Sequence, residues 1–70
     1  MVDWNLLDKK IVESGIRKSY LYERVGMSRG SWHYLHSGKR EPTATEIQKI
    51  CEVLNITNLS EKEQIFFAKE

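Results

Sequence analysis

Four residues near the middle of the chain have the types and spacing of a recognition surface. Arg29, Gly30, His33 and Tyr34 fall on one side of a helix that also carries Trp32 and Leu35. Leu21, Val25 and Met27 precede them across Gly26, and with Trp32 and Leu35 they sit where two short helices must touch each other and a supporting core. The stretch from Lys18 to Leu35 therefore predicts two helices joined by a tight turn. The outer side of the second is left free to offer side chains to a DNA major groove.

Other chemistries fit the residues poorly. His33 and His36 stand three apart, but no Cys, Asp or Glu lies within the next turn to complete a set, and zinc needs three or four ligands. Neither a metal nor any other cofactor is expected, nor a small-molecule ligand. Cys51 falls on an apolar helix stripe and reads as a small core residue rather than a nucleophile. No Ser-His-acid set has workable spacing, and the glycines from Gly26 to Gly30 lack the phosphate-loop pattern, so an enzyme is not expected.

Charge points the same way as the spacing. The formal net charge is only +1. Within residues 17–40, however, Arg17, Lys18, Arg24, Arg29, Lys39 and Arg40 stand against Glu23 alone, a local +5. Residues 1–16 sum to −1 and residues 41–70 to −3. Local potential, not the total, steers a polyanion, and the positive stretch coincides with the helix pair and the loop after it.

Seventy residues, 40% hydrophobic and 30% charged, predict one small globular domain spanning 1–70. The apolar runs are too short for a membrane span, and the N-terminus lacks the apolar centre of a signal peptide. A single cysteine allows no internal disulfide, so a reducing cytoplasm is expected. Five helices are predicted. The first runs from an Asp3 N-cap to Ser14 with Trp4, Leu7 and Ile11 as its stripe, and Gly15 stops it. The second covers Lys18 to Val25, and Gly26 makes the turn. The third is capped by Ser28 and reaches about His36, so that the helix pair spans about 18–36. Gly38 follows it, then the short charged loop Lys39-Arg40-Glu41-Pro42. The fourth opens on a Thr43–Glu46 capping box, carries Ile47, Ile50, Cys51 and Leu54 inward, and ends at Asn55, after which Ile56 returns to the core. The fifth is expected over about 60–70, starting from a Ser60–Glu63 box.

From Ile16 to Ile56 the chain resembles the DNA-binding domain of the phage Cro and CI repressor family, the xenobiotic-response-element type of helix-turn-helix. The marks are Leu21, Val25-Gly26-Met27-Ser28, the bulky Trp32, Leu35, Ser37-Gly38-Lys39-Arg40, Pro42 and Leu54-Asn55-Ile56. The resemblance implies an all-α, compact five-helix, lambda-repressor-like DNA-binding domain in a bacterial host cell. It also implies roles. Lys18 takes a place where the family often has a Gln that touches phosphate. Ser28 caps the recognition helix, whose N-terminus can meet a phosphate. Arg29 grips guanine, His33 meets a base edge, Tyr34 meets a phosphate or a thymine methyl, and Gly30 shares that face. Lys39 and Arg40 contact phosphates.

The chain also departs from the pattern. Tyr22 replaces a small residue, and Trp32 replaces Ile or Val, so two large rings crowd one helix crossing. A helix 1 Arg and a helix 3 Glu that pair in many members are replaced by Ile11 and His36.

Two functions follow from the resemblance. The first is a Cro-type regulator, short and without an effector domain, binding operator DNA as a dimer in a lysis–lysogeny switch. The second is an antirepressor that binds the DNA-binding domain of a CI-type repressor in a heteromeric complex, which the low net charge and the bulky Tyr22 and Trp32 suit. Phe66 and Phe67 bear on both. Adjacent helix positions lie about 100° apart, so one short helix hardly buries two rings in its own domain. Either one ring covers a helix end, or Ile65 with Phe66 or Phe67 meets another chain. The sequence favours the second, with Tyr22 as a further interface residue.

Overall fold

Capping residues decide where each helix begins. In the computed structural model, which describes residues 1–68, the helices are α1 (Trp4–Ser14), α2 (Lys18–Val25), α3 (Arg29–His36), α4 (Ala44–Leu54) and α5 (Leu59–Phe66). No strand occurs among the described residues. Asp3, Ser28 and Thr43 accept from backbone N–H groups of the first turns of α1, α3 and α4. Thr43 and Glu46 form the full reciprocal box.

The helix ends follow the same local chemistry. Gly26 stands at φ 95° after α2, and Asn55 at φ 57° after α4. In both, the next residue's N–H reaches back to a carbonyl of the last turn at 2.8 Å, from Met27 to Tyr22 and from Ile56 to Cys51. Met27 and Ile56 are thereby turned inward, and both are buried. An α-carbon substituent at Gly26 would meet open space, so backbone conformation rather than crowding requires the glycine.

The core forms where the inward stripes meet. Leu7, Leu21, Leu35 and Ile50, from α1, α2, α3 and α4, are fully buried. α2 packs chiefly on α4, α1 rests on α4 and α5, and α3 joins through α2. Cys51 lies in this core, and burial pushes its thiol up from the ordinary value.

The last helix corrects the sequence reading. It starts from Asn58, whose side chain accepts from the Glu61 N–H at 3.1 Å, and the Ser60–Glu63 box does not form. Asn is as good a cap as Ser, and this register lets Glu61 meet Lys10 of α1 at 3.2 Å. The helix ends at Phe66 rather than continuing to the chain end, and residues 69–70 of the expected span lie outside the described residues.

Ile65 and Phe66 are both buried in the chain's own core, which corrects their assignment to a contact with another chain. The N-terminal segment explains how both fit. Asp3 donates to the Ile65 carbonyl, Ala68 donates to the Met1 carbonyl at 3.0 Å, and Val2 is buried. That segment gives α5 a second covering surface beside α1. Phe67, just past the helix at φ −126°, is left 54% exposed. No helix among the described residues is long and apolar enough to cross a membrane.

Candidate functional site

The site is built on α3, and α3 is held from three sides. At its N-terminus the Ser28 hydroxyl accepts from the Ser31 N–H at 3.1 Å. Along its inner side Trp32 is buried and Leu35 fully so. At its C-terminal end the His36 ring nitrogen Nε2 lies 3.1 and 3.2 Å from the two carboxylate oxygens of Asp8 on α1.

The two large rings at the α2–α3 crossing are absorbed by an aromatic stack. Tyr22 lies 6.3 Å from Trp32 with the ring planes 33° apart, and it is half-buried. Trp4 of α1 meets Trp32 edge-on at 5.6 Å and stacks on His36 at 4.5 Å. Such contacts add stability beyond the area they bury. Trp4, expected as plain core, is thus the hinge of the stack and remains partly exposed. Tyr22, expected at a protein interface, packs in part against the core and also lines the open cleft between α2 and α3.

Asp8 was missed by the sequence reading. It stands one helical turn before Ile11, and it takes up the acid–base tie between α1 and α3 with the polarity reversed: acid on α1, base on α3. The signal was there, an acid at that spacing and His36 in the partner position. His36 is therefore committed to Asp8.

The predicted recognition residues then fall into four groups. Lys18, Arg29, Gly30 and His33 line one open cleft between α2 and α3, together with Ser19, Tyr22, Trp32 and His36. Ser19 was not singled out from sequence. Lys18 begins α2, whose first N–H groups receive no side-chain cap from Arg17, so positive partial charge and an ammonium meet at the cleft rim. Tyr34 and Lys39 form the second group: Tyr34 is 50% exposed, and the Lys39 ammonium sits 5.8 Å over its ring. Ser28 acts as the cap just described, at the helix N-terminus beside Arg29.

Arg40 departs from expectation. Its guanidinium makes a two-pronged pair with Glu46, at 2.9 and 3.0 Å. The same Glu46 carboxylate accepts from the Thr43 N–H at 2.9 Å. The fork of Arg40 is thus occupied, and the residue braces the loop between α3 and α4 instead of standing free for a phosphate. The Arg40 guanidinium first, then the Thr43 backbone, lower the Glu46 carboxyl to about 2 against the opposing effect of burial.

Taken as chemistry, the outer face of α3 offers a guanidinium, an imidazole, a phenol and two flanking ammonium groups on a helix that cannot rotate freely. These are donors and cations suited to base edges and phosphates. A family model described as a Cro/C1-type HTH DNA-binding domain matches residues 6–61. No curated protein and no solved structure matches the chain.

Proposed function

We propose a function in transcriptional control from one premise: the chain belongs to the Cro/C1-type helix-turn-helix DNA-binding family. It is a DNA-binding regulator whose partner is double-stranded DNA. In our reading, residues 1–70 act as one Cro-type domain on a near-palindromic operator. It works as a homodimer in the lysis–lysogeny switch of a phage or prophage, in the cytoplasm of the bacterial host. Half-sites then lie about one helical turn apart. The observation that carries this reading is the single face holding Lys18, Arg29, Gly30 and His33 around one cleft, with Tyr34 and Lys39 beside it.

Within it, Arg29 grips guanine O6 and N7, and His33 meets a neighbouring base edge. Lys18, Lys39 and the α3 N-terminus at Ser28 hold phosphates. Tyr34, braced by Lys39, contacts the backbone or a thymine methyl. Gly30 keeps the helix surface low where it approaches the groove.

Anisotropy titration against the protein's own promoter region tests this. Arg29→Ala is expected to cost about 1–3 kcal/mol on the operator and to relax preference at one base pair. Equal binding to all sequences by the natural chain, with no effect of Arg29→Ala, would sink it.

A second reading is favoured by the aromatic lining of the cleft, where Tyr22, Trp32, His33 and His36 gather. Aromatic and Arg-rich surfaces also suit protein partners. In that reading the same face binds the DNA-binding domain of a partner repressor and blocks it. Co-purification with the repressor, together with weak, salt-insensitive binding to naked DNA, would decide for it.

A further inference from the structure

His36 is the last residue of α3, and the strength of its contacts depends on whether its ring carries a proton. Its Nε2 lies 3.1 and 3.2 Å from the two oxygens of Asp8, and its ring stacks on Trp4 at 4.5 Å. As imidazolium, the ring makes a charge-assisted bond to the carboxylate, sets a cation on an indole, and places that cation at the negative end of a helix. As neutral imidazole it keeps one ordinary hydrogen bond and loses the other two effects. Histidine is the side chain whose charge ordinarily changes between about pH 5 and 8. The Arg and Glu that many family members pair between these helices stay charged throughout that range.

The tie also reaches the crossing that sets the angle of α3. Trp4 meets Trp32 at 5.6 Å, and Trp32 meets Tyr22 of α2 at 6.3 Å. One indole therefore links His36 to the packing of α3 on α2.

The charges around His36 couple its proton to DNA. Asp8 of α1 is the acid on the ring, and it has no other ion pair among the described residues. Lys18 of α2, with Arg29 and His33 of α3, lines the same cleft as His36. Those groups oppose a further cation, and phosphates entering the cleft offset the repulsion. DNA binding and protonation then favour each other.

We propose that Asp8 and His36 are positioning residues whose proton-dependent grip sets how firmly α3 is presented, so that the chain discriminates its operator better at about pH 6 than at about pH 8. The proposal rests on the operator-binding reading above and names a regulation of that same face. Base contacts demand a fixed helix, whereas phosphate contacts carry no sequence information. The readout is therefore the ratio of operator to random-sequence affinity, not affinity alone.

Anisotropy titrations at the two pH values measure that ratio. For the natural chain it is expected to fall about threefold per copy bound as pH rises, the scale of one partly exposed ion pair. Asp8→Asn keeps an acceptor and removes the charge. Its ratio should be lower at the acid end and should not fall further. His36→Arg supplies a permanent cation that pairs with Asp8 and stacks on Trp4, and should hold the ratio high at both values. His33→Gln should lower operator affinity but leave the fall in place. A natural chain with a level ratio would overturn the proposal. So would an Asp8→Asn chain that falls as the natural one does, or a His33→Gln chain that no longer falls. If the natural chain shows no operator preference at either pH, the operator reading fails, and the free chain decides on the grip. There, amide exchange of α3 is compared with α4 in the same sample, which cancels the intrinsic effect of pH. Relative protection of α3 should drop with rising pH in the natural chain and stay level in Asp8→Asn. Equal behaviour of the two chains would overturn the proposal without reference to DNA.

Discussion

Glu46 joins two tasks in one carboxylate: it closes the capping box with Thr43 and fills the fork of Arg40. Both favour its charged form, so its carboxyl is lowered from 4.5 to about 2 in the folded chain. A carboxylate lowered on folding stabilises the fold above its unfolded value and loses that contribution as pH falls toward the folded one. The Arg40 side chain is a third exposed, so solvent screens much of the pairing. Glu46→Gln keeps a cap-competent shape and removes the charge. It is expected to cost about 0.5–1 kcal/mol at pH 7, read from urea unfolding. The gap between the two chains should close as pH falls from 4.5 to about 2. A gap that persists unchanged at the acid end would show that shape, not charge, is what Glu46 supplies. The Arg40–Glu46 pair also shows why residue type misleads at this scale. Lys39 and Arg40 look alike in sequence, but only Arg40 has a planar fork to offer a carboxylate six residues on.

At the scale of elements, α3 illustrates what local chemistry supplies and what it does not. Its start was legible because Ser28 caps it, its turn because Gly26 takes a left-handed conformation, and its inner side because Trp32 and Leu35 have helical spacing. The tie to α1 was not legible, because Asp8 and His36 are 28 residues apart and become neighbours only after α1 and α3 have packed. The same limit explains α5. Asn58 and Ser60 are equal as caps, and α5, capped by Asn58, lies against Lys10 and the N-terminal segment, which are far off in sequence. Phe66 went inward because residues 1–3 cover a side of α5 that helical periodicity leaves open. Gly30 is the one residue of α3 whose local preference opposes its element, since glycine weakens a helix interior. Its φ is not left-handed, and a β-carbon there would come no closer than 4.0 Å to Ser28. Gly30→Ala is therefore expected to stabilise the fold by about 0.5–1 kcal/mol, seen as a higher Tm. If α3 lies close in the groove as proposed, the same change lowers operator affinity while raising stability. A rise in both would place position 30 away from the bases.

On the scale of the molecule, size and charge together set how DNA is met. The folded chain measures 28 × 26 × 20 Å, less than the about 34 Å between successive major grooves on one face of the duplex. One copy therefore reaches one groove, and reading a palindrome takes two. The charge that brings it there is the local +5 of residues 17–40, not the +1 of the whole, but the structure divides that charge unequally. Lys18 and Lys39 flank the α3 face, whereas Arg40 is neutralised by Glu46. Salt titration separates them, because each phosphate contact releases counterions and steepens the dependence of affinity on salt by about 0.9. Lys18→Ala and Lys39→Ala are each expected to flatten the log–log slope by about 1 for every copy bound. Arg40→Ala should flatten it by clearly less, since removing Arg40 frees Glu46 and takes away a brace rather than a phosphate ligand. Equal slopes for Lys39→Ala and Arg40→Ala would mean that DNA draws Arg40 away from Glu46 on binding. In that event the loop between α3 and α4 would be a moving part of the interface instead of a fixed one.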